Sequence, residues 1–175
     1  QIDAGSVRDV VWKHSFSDPG VYAVSCGVDA EDDLAADNRA TIVVEVVEQI
    51  PVLLVENRFA LAEMQQDAFF VQAALGWLDG ERLPEHAVHV PTVVGPDELD
   101  RFDLSSQRAV VIPNLTSLSE ESVRRLREFV AGGGGLWIAL GPRTDIDIFN
   151  QLVYSDGNGL APLGVDRLVA ENPAE

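Results

Sequence analysis

Four short apolar runs, spaced along residues 50–141, constrain this chain more than any other feature. "IPVLLVEN" (50–57), "RAVVIPN" (108–114) and "GLWIALG" (135–141) are continuous rather than alternating. A strand reads this way when both of its faces are covered, as in a parallel sheet. "HAVHVPTVV" (86–94) is a fourth strand, edged or broken by Pro91. Between the runs the period changes to that of a helix. Leu61, Met64, Ala68, Val71, Leu75 and Leu78 recur at three-to-four spacing across about 60–78. "DELDRFD" forms a short helical turn. A further helix carries Val123, Leu126 and Val130 inward and Arg124, Arg125 and Arg127 outward. Ser117 with Glu120 makes its capping box, and Gly132 stops it. "TDIDIFNQLV" is helical and "SDGNGLAPLG" a loop. Strands alternating with helices require right-handed crossovers, hence a parallel sheet with helices on both faces over residues 49–175.

Residues 1–48 follow another rhythm. "SVRDVVWKHSF" and "GVYAVSCGVDA" alternate with period two, setting Val10 and Trp12 beside Val21 and Ala23. "DPG" at 18–20 is a turn, and "RATIVVEVVEQ" is a strand rich in β-branched residues. Three or four antiparallel strands make half of a sandwich. Their apolar face needs a partner sheet, from upstream or from a second copy of the chain. Cys26, the single cysteine, alternates with Tyr22 and Val24 as a small buried hydrophobe and excludes an internal disulfide. The first residues lack the features of a signal peptide, and the chain reads as a piece of a longer protein.

Charge narrows the partners. Twelve basic against 29 acidic residues give a formal −17, which repels phosphate backbones and anionic headgroups. Nucleic acid and membrane surfaces are therefore not expected ligands, and the plain role of such a charge is solubility. No apolar run reaches the roughly 20 residues of a membrane span.

Metal and phosphate motifs are weak. "DAEDDLAADN" (29–38) is acidic but lacks the glycine and glutamate positions of an EF-hand, so Asp37 and Asn38 are read as turn residues. His86 and His89, three apart in a strand, point to opposite faces. "AGGGGL" joins a helix to a strand, whereas a phosphate loop joins a strand to a helix. Phe69, Phe70 and Trp77 are read as core or domain-interface residues. Neither a metal nor a cofactor is expected.

The segment "RAVVIPNLTSLSEESVRRLREFVAGGGGLWIALG" resembles the class I glutamine amidotransferase-like fold. "GVYAVSCGVDAEDDLAADNRATIVVEVVEQIPVLLVEN" resembles the Ig-like region that precedes it in BatA-like membrane proteins of the N-terminal double-transmembrane type. Asp33, Leu34, Asp37 and Asn38 ahead of a β-branched strand carry much of that match. The resemblance implies a flavodoxin-like sheet after a partial Ig-like segment, in an extracytoplasmic (periplasmic) part of a membrane-anchored bacterial protein.

In active relatives the strand matching "LWIALG" ends in an elbow that presents a Cys. Here that position holds Gly141 and Pro142, neither with a nucleophilic side chain. The turn that would build an oxyanion site is Asn114, Leu115 and Thr116, and His14, His86 and His89 all precede the elbow. No catalytic residue is assigned, and the expected role is a non-enzymatic interaction or scaffold module. Its partner is another protein or the membrane-spanning parent chain, with a homodimer as one way to complete the half-sandwich. The alternative is sensing of a small anion or sugar at the carboxyl ends of the strands, where open α/β sheets bind ligands. That rim collects Glu56, Asn57, Arg58, Asn114, Thr116, Gly141 and Arg143, the two arginines suiting a carboxylate or phosphate. A weaker alternative is a hydrolase using Glu56.

Overall fold

A computed structural model describes residues 5–29, 34, 36–57, 62–78, 81–82 and 88–169. Arg58, Leu61, His86 and Asp33, named above, lie outside the described residues. The chain divides into two compact units, Gln1–Glu48 and Gln49–Glu175.

The first unit holds one antiparallel pair, β1 (Gly20–Gly27) and β2 (Arg39–Val46). Residues opposite one another share a face, so Tyr22 with Val44, Val24 with Ile42 and Cys26 with Ala40 make one wholly apolar side. The other side is mixed and carries a hydroxyl–hydroxyl hydrogen bond of 2.8 Å between Ser25 and Thr41. Two expectations fail here. Residues 7–12 form no strand, and Val10 and Trp12 stand exposed, so the described part has two strands rather than three or four. Cys26 is exposed, while towards the other end of the same side the Phe16 ring packs on Tyr22, with centroids 4.4 Å apart.

The second unit is mixed α/β. Its sheet runs β6–β3–β7–β8, all parallel: β3 (Ile50–Val55), β6 (His89–Val94), β7 (Ala109–Pro113) and β8 (Gly135–Ala139). A small antiparallel pair, β4 (Trp77–Leu78) and β5 (Glu81–Arg82), sits between β3 and β6 in sequence. The continuous apolar runs of β3 and β7 are covered on both faces, whereas β8 has no buried residue and leaves Trp137 exposed, so that expectation fails for 135–141. On one face Val52, Leu54 and Val111 pack with Ala68, Val71 and Leu75 of the α1 region, α1 being Asp67–Ala74. On the other, Leu53, Val55, Val110 and Ile112 pack with Val123 and Leu126 of α3 (Glu120–Ala131) and with Phe149 and Val153. The last two belong to a π-helical stretch, Phe149–Tyr154, that continues the short α4 (Ile146–Ile148). A four-residue helix, α2 (Pro96–Leu99), follows β6 and buries Leu99.

The edges of the sheet differ. β6 holds Pro91, whose missing N–H is tolerated on an edge strand. β8, the opposite edge among the described residues, carries Trp137 at 59% exposure.

The helix signals are right in kind and shifted in place. The expected helix over 60–78 is a 3-10 turn (Glu63–Gln65) and then α1, which ends at Ala74 because Gly76 turns with φ +84°. Trp77 therefore lies in β4, where its indole N–H donates to the His89 carbonyl at 2.6 Å. Phe70 is exposed, not core. The cap of α3 is Ser119, whose Oγ accepts from Ser122 N at 2.9 Å, and not Ser117. Val130 is exposed. Arg125 turns inward, donating to the carbonyls of Leu99 (2.8 Å) and Phe102.

Candidate functional site

The strand order makes β3 the branch point, since β6 lies on one side of it and β7 on the other. In open α/β sheets the crevice at such a point, beyond the carboxyl ends of the strands, is where ligands enter. Here Glu56 directly follows β3 and Asn114 directly follows β7.

Glu56 is fully buried, a position a carboxylate holds only with hydrogen-bond partners. Its Oε2 accepts from Ala68 N at 2.7 Å, in the first turn of α1, where free backbone N–H groups and the helix dipole favour negative charge. The neighbouring Asp67 is the hub of a second set of contacts. Asn114 Nδ2 donates to Asp67 Oδ1 at 3.0 Å, and the Arg143 guanidinium pairs with Asp67 Oδ2. Arg143 N donates to Asn114 Oδ1 at 3.3 Å. Asn114 adopts φ +52°, the left-handed region that Asn tolerates better than most residues, while its own N–H joins Ala139 O at 2.9 Å.

The elbow after β8 is folded onto this network. Gly141 N donates to Thr144 Oγ1 (2.9 Å) and Thr144 N to Gly141 O (3.0 Å), a closed loop around Pro142 and Arg143. Asp145 N then bonds Leu115 O (2.7 Å), tying the two turns together. A Cβ built on Gly141 would fall on Asn114 Oδ1. The space a nucleophilic side chain needs at the elbow is thus taken by the Asn114 amide.

Of the residues expected at the rim, Glu56, Asn114, Gly141 and Arg143 enter this linked arrangement. Thr116 is half-buried beside it in sequence, and Asn57 is half-buried on the next surface along. That surface is a cavity of about 530 Å³ whose walls include Glu56, Asn57, Val93, Gly95, Asp97 and Glu98. Three carboxylates and no described basic residue make it a poor receptor for an anion. Arg143, the described rim arginine, spends a terminal nitrogen on Asp67, while its Nε is buried without a hydrogen-bond partner. Asp67 was not legible as a site residue. The available signal was an acid opening a helix that follows a buried strand. Among the described residues no group of three or more His, Cys, Asp or Glu side chains is placed to hold a metal ion. No helix among them is long and apolar enough to cross a membrane.

Compared with known protein families, with curated proteins and with solved structures, the chain matches none.

Proposed function

We propose that this chain is a non-enzymatic interaction or scaffold module from the extracytoplasmic (periplasmic) side of a membrane-anchored bacterial protein. In this reading the α/β unit is flavodoxin-like and descends from class I glutamine amidotransferase-like domains, with the elbow no longer equipped for chemistry. The β unit is the remaining part of an Ig-like sandwich of a BatA-like parent with an N-terminal double-transmembrane region. Its apolar side supports a role in which something else completes the sandwich.

The observation that carries the reading is the filling of the elbow. A thiol or hydroxyl nucleophile requires a side chain at that position and a base within hydrogen-bond reach. Gly141 has none, Asn114 occupies the volume, and neither His14 nor His89 follows the elbow in sequence. Glu56, the acid of the hydrolase alternative, already binds the Ala68 amide with one carboxylate oxygen. Sensing of an anion is the less favoured alternative, because Arg143 is turned to Asp67.

The test is turnover by the purified chain of L-glutamine, nitrophenyl esters and nitrophenyl glycosides. The expected result is no hydrolysis above buffer. Hydrolysis that disappears in Asn114→Ala or Glu56→Gln would overturn the reading.

A further inference from the structure

The turn that follows the π-helical stretch reads "SDGNG", residues 155–159. Asn158 is the one asparagine in the sequence with a glycine directly after it. Such a pair has a chemistry of its own. With no side chain on the next residue, its backbone nitrogen can reach the asparagine carboxamide, one reason asparagine counts among the thermolabile residues. Asn158 is exposed, so water reaches its side chain.

The fold demands the glycine. A Cβ on residue 159 would stand 1.9 Å from Val153 O, in a turn where Gly159 N donates to Tyr154 O at 2.9 Å. Leu160 N and Ala161 N both donate to Val153 O, at 2.7 and 3.0 Å. These bonds satisfy carbonyls at the end of the π-helical stretch, and only a glycine fits so close to them. The reactive pair is thus imposed by the turn.

The same geometry holds the reaction off. Asn158 has φ −100° and ψ 5°. At ψ near zero a residue's own nitrogen eclipses the next one, which turns Cβ and the carboxamide away from it. Ring closure needs the reverse, with Cβ eclipsing the Gly159 nitrogen. It also needs the Gly159 N–H to give up its proton, and that N–H is spent on Tyr154 O. Yet the closed turn is strained. Ser155 and Asp156 sit at φ 47° and 50°, a region costly to a residue with a side chain, ahead of Gly157 at φ 84°. Asn150 helps to hold them there. Its carboxamide clips Val165, donating to the carbonyl and accepting from the N–H, both at 2.8 Å. A strained segment held by a few local bonds opens ahead of the sheet.

We propose that Asn158 is a deamidation site gated by this turn, unreactive while residues 155–165 are closed and converted when they open. In the open turn Gly159 N, its proton taken by base, bonds Asn158 Cγ. The Cγ–Nδ2 bond breaks, and Nδ2 leaves as ammonia with the proton returned to it. Solvent water then opens the cyclic imide at either of its carbonyls, leaving aspartate or isoaspartate at position 158. Either product adds a negative charge near Asp156, and isoaspartate lengthens the backbone just before Gly159. The turn then no longer closes as before. The site goes beyond the scaffold reading and does not depend on it.

The experiment is incubation of the whole chain in mildly alkaline buffer, folded and in guanidinium chloride. Peptide mass spectrometry that separates aspartate from isoaspartate reads position 158. The expected result is conversion in denaturant ahead of Asn57, Asn114 and Asn150, and at least about tenfold slower conversion in the folded chain. Asn150→Ala removes the clip and speeds conversion in the folded state. Ser119→Ala, which weakens α3 instead, leaves that rate unchanged. If Asn150→Ala does not fold, Asn150→Asp serves in its place, since it loses the donor to Val165 O, and it shifts the rate the same way. Conversion as fast in the folded chain as in denaturant overturns the proposal, and so does no conversion in denaturant. Equal acceleration by Ser119→Ala and the Asn150 variant overturns it too, because the gate would then be unfolding of the whole unit.

Discussion

Gly141 and Asn114 exclude one another's side chains: the Asn114 amide fills the volume into which a Cβ on Gly141 would project. Neither residue explains itself alone. Asn114 reaches this place by adopting positive φ and bonding Asp67 and Arg143, and Gly141 is the residue that lets it stay.

Gly141→Ala should therefore destabilise the α/β unit by about 1–3 kcal/mol, the cost of forcing an extra methyl into a filled site. In an Asn114→Gly background, where the amide is gone and φ +52° suits glycine, the same substitution should cost less. The coupling, read from urea unfolding of the four proteins of a double-mutant cycle, is expected at about 1 kcal/mol or more. Additive losses would mean that the two residues do not share the space.

The Asp67–Arg143 pair makes a sharper contrast. Arg143→Met leaves the half-buried Asp67 with Asn114 alone and should cost about 1–3 kcal/mol. Arg143→Lys keeps a cation for Asp67 and removes the buried Nε that has no partner. It should lie within about 1 kcal/mol of the parent, measured by thermal unfolding. Equal losses in both variants would show that the guanidinium shape, rather than the charge, is what matters.

At the start of α3, Ser119→Ala should cost about 1 kcal/mol by removing the side-chain cap of Ser122 N. Ser117→Ala, at an exposed position that caps nothing, should stay within about 0.5 kcal/mol of the parent. Chemical denaturation of the two variants separates the positions.

Asp100 links that cap to pH. The hydroxyls of Ser119 and Ser122 both donate to its Oδ1 at 2.6 Å, and together with Arg125 nearby they hold its carboxyl below the ordinary range. A carboxyl depressed in the folded state adds stability above its unfolded pKa and loses it as pH falls through the folded value. The parent should thus be more stable than Asp100→Asn at neutral pH. The gap should narrow below about pH 4. Urea midpoints across that range test it, and a gap that widens on acidification would contradict the assignment.

In the β unit, exposed Cys26 should react with a thiol reagent in the native protein about as fast as in urea. Protection of the native thiol would mean that the apolar side of β1 and β2 is covered in solution.

What the sequence made legible divides along physical lines. The continuous runs around Val52–Val55 and Val110–Ile112 announced two-sided burial, and that property is local. The cap falls two residues beyond the expected Ser117 because Ser117 has the capping-box glutamate, Glu120, three positions on, whereas Ser119 is followed there by Ser122. Only the approach of Asp100, from the loop after α2, decides between them. The end of α1 was readable in Gly76, yet apolar spacing carried the helix pattern past it to Leu78. Period two placed Cys26 in a strand correctly but says nothing about what lies over that strand. The polar network at the branch point was hidden for a stronger reason. Asp67, Asn114 and Arg143 are 47, 29 and 76 positions apart pairwise, and strand order alone brings them together. The resemblance drew attention to the elbow and the turn after β7, and the partner in α1 had no motif to announce it.

The unequal edges of the sheet give it a direction of growth. Pro91 deprives β6 of a donor, which blunts that side against pairing with a stray strand. β8 has no proline in Gly135–Ala139, and its exposed Trp137 stands on the same face of the sheet as Val111. Among the described residues, the β8 edge therefore presents fewer obstacles to a further strand than the β6 edge does. A lysine or proline introduced there would change how the protein behaves in crowded solution without touching its core.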